Sequence, residues 1–149
     1  MTTIRLKTFI KAPILTVFDL SRDISVHETS TKNTREKAIA GKTSGKINLG
    51  ETVTWRAKHF GMYLKHTSLI SEFKSPNYFV DEMIAGVFKS FRHEHIFEET
   101  ENETEMIDIL TYEVPYGIVG QLFNYLILKR YLTKFLLQRN NHIKQTAEM

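Results

Sequence analysis

Apolar and polar residues alternate along most of the chain, which predicts a fold rich in half-buried β-strands. An opening strand is predicted over Ile4–Ile10, which reads IRLKTFI. Further along, five longer segments alternate in the same way and are separated by short turns: ETVTWRAKHF, MYLKHTSLISEF, YFVDEMI, FKSFRHEHIFEE and EMIDILTYEV. Consecutive strands joined by short turns form an antiparallel meander, and the alternation indicates that one face of the sheet contacts water.

Two short helices are predicted between the opening strand and the meander. Pro13 stands where a first helical turn tolerates proline, and Ser21 with Asp23 can cap a second short helix that extends through His27. The polar segment that follows, TSTKNTREK over residues 29–37, predicts a loop.

From Ile118 the apolar period becomes helical and predicts one long C-terminal helix that extends to about Ile143. At about 100° per residue, the apolar residues fall within one broad sector. The sector contains Ile118, Val119, Leu122, Tyr125, Leu126, Leu136, Leu137 and Ile143, and also Lys129. A helix this long needs a large apolar partner, so we expect the sector to pack against the concave face of a curved sheet.

The bulk composition indicates a single soluble α+β domain over residues 1–149. The chain has 42% hydrophobic and 25% charged residues, which argues against a disordered or fibrous protein. It contains no cysteine, so disulfides and thiolate metal sites are excluded. No apolar segment reaches the roughly 20 residues that span a bilayer, and MTTIRLKTF lacks the apolar region of a signal peptide. We therefore expect a cytoplasmic location.

The charge pattern does not indicate a nucleic-acid partner. The net charge is +3, and the basic residues are scattered apart from a cluster of Lys129, Arg130, Lys134 and Arg139 on the predicted helix. No nucleic-acid-binding motif accompanies them. A solvated helix face is the favoured interpretation of this cluster, and a transient contact with an anionic lipid surface is the alternative. The sequence identifies no protein partner.

The segment FRHEHIFEET places two histidines on a strand among aromatic residues. Side chains alternate along a strand, so Phe91, His93, His95 and Phe97 share one face, and their aromatic character predicts that this face points inward. A turn centred near Asn102 then pairs this strand with the next one. The predicted pairs are His95 with Asp108, His93 with Leu110, Phe97 with Met106, and Phe91 with Tyr112. A slip of one residue would turn every one of these side chains to the other face.

The inward face is predicted to be an apolar wall that carries a few polar groups. Other strands contribute Trp55, His59, Phe79, Asp81 and Met83, and the helix contributes Leu122, Leu126 and Lys129. His66 lies on a strand that supports either facing. A buried carboxylate needs a partner, so Asp81 and Asp108 are expected to bond to the histidines.

An apolar wall with a few converging polar groups is typical of a small-ligand site, and a small hydrophobic or amphipathic molecule is the expected partner. Alternatives remain open. The histidines can be hydrogen-bonded core residues without any role in binding, or the domain can be a protein-interaction module. In an acid/base enzyme of the cyclase or dehydratase kind, His93, His95, Asp108 and Tyr112 are the candidate catalytic residues.

A metal centre and a cofactor are not expected. A His-x-His strand with a carboxylate can supply three ligands for zinc or iron. However, no third histidine has a spacing that guarantees convergence on the pair, and the surroundings are aromatic. The chain also lacks a phosphate-binding loop, a dinucleotide fingerprint and a nucleophile elbow.

The order of the elements resembles the helix-grip fold, and four segments carry a closer resemblance: VFDLSRDISVHETST (17–31), LGETVTWRAKHFG (49–61), FVDEMIAGVFKSFRHEHIFEE (79–99) and MIDILTYEVPYGIVG (106–120). By these residues the chain is similar to the SRPBCC superfamily, which contains START domains, polyketide cyclases and the birch-pollen allergen. Within it, the chain resembles a bacterial branch described as cyclase-like and sometimes called a cell-division inhibitor. This branch has a proline after the glycine that Gly86 matches, where this chain has Val87.

The resemblance implies a curved antiparallel sheet of about seven strands, wrapped around a long C-terminal helix, with two short helices after the first strand. It also implies a ligand-sized cavity between the sheet and the helix. It supplies no catalytic residues.

Overall fold

Seven antiparallel strands form one curved sheet in the computed structural model, which describes residues 1–149. The strands are β1 (Thr2–Ile10), β2 (Lys37–Gly41), β3 (Thr52–His59), β4 (Met62–Lys74), β5 (Tyr78–Ala85), β6 (Ser90–Thr100) and β7 (Glu103–Glu113). Their order in the sheet is β1-β7-β6-β5-β4-β3-β2. The chain therefore forms a meander from β2 to β7, and β1 closes the sheet beside β7. The fold class predicted from the sequence is confirmed.

Two short helices follow β1, as predicted: α1 (Ile14–Ser21) and α2 (Ile24–Ser30). Asp23 caps α2, since its Oδ1 accepts hydrogen bonds from the backbone N–H groups of Ser25 and Val26 at 2.9 and 3.1 Å. The loop predicted over residues 29–37 is only partly correct. The helix extends to Ser30, a 3₁₀ turn occupies Lys32–Thr34, and the short edge strand β2 begins at Lys37.

The predicted register of the β6–β7 hairpin is confirmed. His95 lies opposite Asp108, His93 opposite Leu110, Phe97 opposite Met106, and Phe91 opposite Tyr112. Asn102 lies in the turn with a positive φ of 64°, a conformation that asparagine adopts more readily than most residues. In the preceding pair of strands, Phe79 lies opposite His95 and Asp81 opposite His93. These side chains thus converge on one face of the sheet.

An aromatic cluster closes one end of this face. Phe18 of α1 packs edge-on against Phe73, Phe79 and Phe97, with ring centroids 5.3–5.5 Å apart. Such edge-to-face pairs stabilise a core beyond the area they bury. The helices α1 and α2 therefore cover this end of the sheet, and the C-terminal helix covers the remainder.

The C-terminal helix is continuous from Gly117 to Ala147 but changes its winding. It consists of α3 (Gly117–Phe123), a π-helical segment (Asn124–Leu128) and α4 (Lys129–Ala147). A π turn takes up more residues than an α turn, so the face that points toward the sheet changes across this segment. No helix in the structure is both long and apolar enough to cross a membrane.

The predicted facing of the first half of this helix is wrong. Ile118, Val119, Leu122, Tyr125 and Leu126 are exposed, and so is Leu137, whereas Leu136 and Ile143 are buried as predicted. The constant helical period assumed in the prediction does not hold across the π segment. The inward face of α3 instead contains Gly120, where a β-carbon would lie 1.8 Å from the carbonyl oxygen of Pro115.

Candidate functional site

A cavity of about 970 Å³ lies between the sheet and the C-terminal helix. Most of its lining side chains are apolar, including Val53, Trp55, Ile70, Leu110 and Leu132. Some lining residues are also well exposed and therefore mark the mouth of the cavity. These are Phe60 and Met62 near the β3–β4 turn, Val87 after β5, and Tyr116 and Phe123 at the start of the C-terminal helix.

Half of the residues predicted to face a ligand line this cavity. They are Trp55, His59, Phe79, Asp81, Phe91, His93, His95 and Leu110. All of them project from strands β3, β5, β6 and β7, for which the sequence pattern gave the correct facing.

The other predicted residues do not line the cavity, although most of those on the sheet face inward. Phe97 and Met106 belong to the core beneath α1. Met83 points toward the β5–β6 turn and packs closely against Gly86. A β-carbon added to Gly86 would lie only 2.7 Å from the Sδ of Met83. Tyr112 is fully buried, and its hydroxyl donates a 2.6 Å hydrogen bond to Asn124.

On the helix, Leu122, Leu126 and Lys129 lie outside the cavity because their side chains point to solvent. The prediction that these three residues contact a ligand was based on the mistaken facing of α3.

Asp108 supports His93 from behind the cavity wall. The carboxylate is fully buried, and its Oδ1 accepts a 2.7 Å hydrogen bond from Nε2 of His93. Its Oδ2 accepts from the side-chain amide of Asn140 at 2.7 Å, and Oδ1 also accepts from Arg139 at 3.3 Å. Burial would raise the pKa of Asp108, but the hydrogen bond from His93 and the charge of Arg139 hold it well below its usual range.

This arrangement fixes the tautomer of His93. In the neutral imidazole, Nε2–H donates its hydrogen bond to the ionised Asp108, so Nδ1 carries the lone pair. Nδ1 has no hydrogen-bond partner in the protein and is not fully enclosed, and His93 lines the cavity. His93 therefore presents a hydrogen-bond acceptor to any molecule bound there.

His95 is saturated by protein partners, in contrast to His93. Its Nε2 donates to Asp81 at 2.6 Å, and its Nδ1 accepts from Nη2 of Arg139 at 3.4 Å. The ring stacks between His93 and Phe79, at centroid distances of 3.8 and 4.1 Å. Burial and the neighbouring His93 lower the pKa of His95 to about 4, so the imidazole is neutral at neutral pH. His95 thus orders the site rather than exposing a reactive nitrogen.

Arg139 and Asn140 are the principal residues that sequence reasoning missed. The sequence placed Arg139 in an exposed basic cluster, but it is 3% exposed and its guanidinium contacts Asp108, Asn140 and His95. The spacing of the helix could have indicated this burial. Arg139 lies about one helical turn from Leu136 on one side and from Ile143 on the other, and both of these residues are buried. A cationic residue on the inner face needs an acidic partner, and Asp108 is that partner.

Histidines are concentrated around the cavity. Of the six in the chain, five line it: His27, His59, His66, His93 and His95. His27 bonds to the buried Glu36 and lies against Trp55 at a centroid distance of 4.4 Å, while His59 bonds to the hydroxyl of Tyr131.

His66, whose facing the sequence left open, points into the cavity. It has no hydrogen-bond partner in the protein, and burial lowers its pKa. Both of its ring nitrogens are therefore free to bond to a ligand.

Asp81, His93 and His95 are the residues best placed to hold a metal ion, with ligand atoms within 4.8 Å of one another. Both ring nitrogens of His95 are already bonded, one to Asp81 and one to the cationic Arg139. A metal ion bound to Nε2 of His95 would have to displace the hydrogen bond to Asp81, and it would lie near the positively charged guanidinium of Arg139. The arrangement therefore favours a hydrogen-bond network over a metal centre.

Lowering the pH from 6.5 to 4 is expected to reduce the free energy of unfolding by about 3 kcal/mol through His95. In this range the unfolded chain protonates His95 while the folded protein keeps it neutral, so stability falls with pH. Below pH 4, Asp81 adds to the loss. Burial raises the pKa of Asp81, but the hydrogen bond from His95 opposes this effect, and the pKa in the folded protein is lowered to about 2, below the ordinary 3.8. Urea unfolding at a series of pH values measures this loss. A flat profile, or a slope unchanged in His95→Gln, would contradict it.

The comparisons with known proteins show the fold. No protein-family model and no curated protein matches the chain. Among solved structures, TTHA0849 from Thermus thermophilus is 18% identical with a TM-score of 0.76, and the match covers 98% of this chain and 99% of that one. Major latex-like protein 151 from Panax ginseng is 16% identical with a TM-score of 0.67, over 98% and 97% of the two chains. Ara h 8.0201 is 8% identical with a TM-score of 0.69, over 95% and 97%.

These similarities establish the architecture of the chain. The chain has the helix-grip fold, as its sequence resemblance implied. At such identities the similarity concerns the fold alone, so function has to be argued from the cavity.

Proposed function

We propose that this protein binds a small apolar or amphipathic molecule in the cavity between the sheet and the C-terminal helix. The observation that carries the proposal is the cavity itself, which at about 970 Å³ lies near the upper end of the roughly 300–1,000 Å³ of ligand pockets. Its wall is mainly apolar, and only a few polar groups on it lack protein partners. This combination suits a ligand with an extended apolar body and few polar groups.

The polar groups favour a neutral hydroxyl or carbonyl on the ligand over a carboxylate. Nδ1 of His93 accepts a hydrogen bond, and the neutral His66 can donate one and accept another. Around His93, the two carboxylates Asp81 and Asp108 outnumber the one cation Arg139. An anionic group would be repelled at this position, whereas a hydroxyl could donate to His93.

Affinity would come mainly from apolar contact. Burying ~300 Å² of apolar ligand surface contributes about 7 kcal/mol before the cost of association is subtracted. That is enough for moderate binding, to which the hydrogen bonds of His93 and His66 would add orientation.

Two measurements test the proposal directly. Native mass spectrometry of the protein isolated from its own cells should reveal a co-purified small molecule. Titration with a long-chain fatty acid, an isoprenoid alcohol and a flavonoid should raise the melting temperature for at least one of them and change the fluorescence of Trp55, the only tryptophan, which lines the cavity. Absence of both signals would overturn the proposal.

Leu64→Trp is expected to weaken binding of the same probe by about tenfold or more, because the larger side chain occupies cavity volume that the ligand needs. Leu64 lines the cavity near its mouth. Leu15→Trp is the matched control, since Leu15 is exposed on α1 and does not line the cavity. Calorimetric titration of both variants measures the difference. Equal losses in the two variants would place the ligand elsewhere.

A second candidate function, acid/base catalysis, is favoured by one specific observation. The Asp108–His93 pair has the arrangement of a supported general base, with Nδ1 of His93 directed to the cavity. Tyr112 does not contribute, since its hydroxyl is bonded to Asn124. Mass spectrometry of the probes recovered after incubation separates the candidates. A conversion lost in His93→Ala supports catalysis, and unchanged recovery of a bound probe supports a carrier.

A further inference from the structure

An apolar surface without a partner lies beside the mouth of the cavity. It consists of Tyr116, Ile118, Val119, Leu122, Tyr125 and Leu126, which are 55–85% exposed, and is called the rim surface below. Scattered exposed apolar residues are common, but a contiguous group of this kind marks an interaction site.

The rim surface has the spacing of one helical face. Ile118, Leu122, Tyr125 and Leu126 lie at i, i+4, i+7 and i+8, while the inward side carries Gly120 and Leu128. It is therefore an amphipathic helix whose apolar side points to solvent.

The rim surface continues into the mouth of the cavity. The ring of Phe123 contacts that of Phe60 on the β3–β4 turn, with centroids 5.5 Å apart, and Phe60 and Met62 are themselves at least half exposed. A partner that covers the rim surface would therefore also lie over the mouth of the cavity.

Charge distinguishes the occupants that could cover this surface. No acidic residue occurs between Pro115 and Ala147, and the exposed cations Lys129, Arg130 and Lys134 follow the rim surface along the helix. Anionic lipid headgroups complement these cations, and the acyl boundary accepts the apolar side chains. A second copy of the chain would bring another set of cations to the contact and no acidic side chain of this helix to neutralise them.

We propose that the rim surface docks on an anionic lipid bilayer, with its apolar side chains in the interface and the cations of α4 at the headgroups. Docking would place the cavity mouth against the membrane, so that an apolar molecule could pass between bilayer and cavity without crossing water. The docking itself requires no bound ligand, so it can fail or succeed independently of the proposed binding function.

Co-sedimentation of the full chain with vesicles tests the docking. One set of vesicles contains phosphatidylcholine alone and the other contains phosphatidylcholine with phosphatidylglycerol. We expect binding to the mixed vesicles, weaker binding to phosphatidylcholine, and a decrease with added salt, because the headgroup attraction is screened.

Leu122→Glu and Ile118→Glu should each lower the partition coefficient for mixed vesicles about tenfold or more, because a carboxylate enters the apolar interface and repels the headgroups. Both positions are exposed, so the variants should fold, and circular dichroism checks this. Leu15→Glu, at an exposed position on α1, is the matched control and should leave the partition coefficient unchanged.

Two results would overturn the proposal. One is that the wild-type chain does not bind mixed vesicles, or that both rim variants bind them as tightly as the wild type does. The other is a dimer in analytical ultracentrifugation that Leu122→Glu dissociates, without vesicle binding, which would assign the rim surface to a second copy of the chain.

Discussion

Arg139→Met is expected to lower the free energy of unfolding by about 3–5 kcal/mol, the usual loss when one partner of a buried ion pair is removed. Methionine retains an unbranched apolar stem but provides no donor. The substitution leaves the fully buried carboxylate of Asp108 without its cationic partner, and it also removes hydrogen bonds to Asn140 and to the carbonyl oxygen of Ser21. Urea unfolding followed by the fluorescence of Trp55 measures the loss.

Arg130→Met is the matched control, since Arg130 lies on the same helix but is exposed. Its effect should stay within about 0.5 kcal/mol. The double variant Asp108→Asn/Arg139→Met should lose less than the sum of its two single variants, because it removes the buried charge together with its partner. An effect of Arg139→Met no larger than that of Arg130→Met would mean that the guanidinium does not balance Asp108.

The sheet was predictable from the sequence because its determinants are local. The alternation in β6 and β7 assigns each side chain to a face, and a turn centred at Asn102 fixes the register between the two strands. The pairing of His95 with Asp108 follows from these two features alone. For the same reason the inward facing of Trp55 and His59 on β3 was predicted correctly.

The site was less predictable because its geometry depends on contacts between residues far apart in the chain. Phe97 and His93 share one face of β6, yet Phe18 of α1 covers Phe97 and leaves His93 at the cavity. Nothing in the strand pattern distinguishes the two positions. Likewise, the burial of Arg139 depends on Asp108, which is 31 residues away.

The C-terminal helix shows a different limit. Helical periodicity identified an apolar stripe from Ile118 to Leu126 but not the direction in which it points. The π segment changes which residues of the helix point toward the sheet. In α3, the close approach of Gly120 to Pro115 turns the side that carries the glycine inward. An apolar stripe on a helix thus predicts an apolar partner, which for α3 is not the sheet.

The facing of β6 has its strongest test in Phe97→Glu, which is expected to prevent folding. Phe97 is 1% exposed, its ring packs edge-on against Phe18, and it stacks near Phe79. A carboxylate there has no cation or donor in place of the ring, and an unpaired buried charge costs several kcal/mol, in addition to about 3–5 kcal/mol for the lost aromatic packing. The sum is comparable to the whole stability of a typical domain.

The neighbouring position supplies the control for this test. Ile96→Glu places the same charge on the opposite, partly exposed face of β6 and should give a folded protein with a modest loss of stability. Phe97→Leu, which keeps the position apolar, should also fold, although less stably than the wild type. Circular dichroism and thermal unfolding of the three variants decide the matter. If Phe97→Glu melted at the wild-type temperature and Ile96→Glu did not fold, the face that carries His93 and His95 would be the outer one. The cavity would then lose these two imidazoles, and the case for ligand binding would fail.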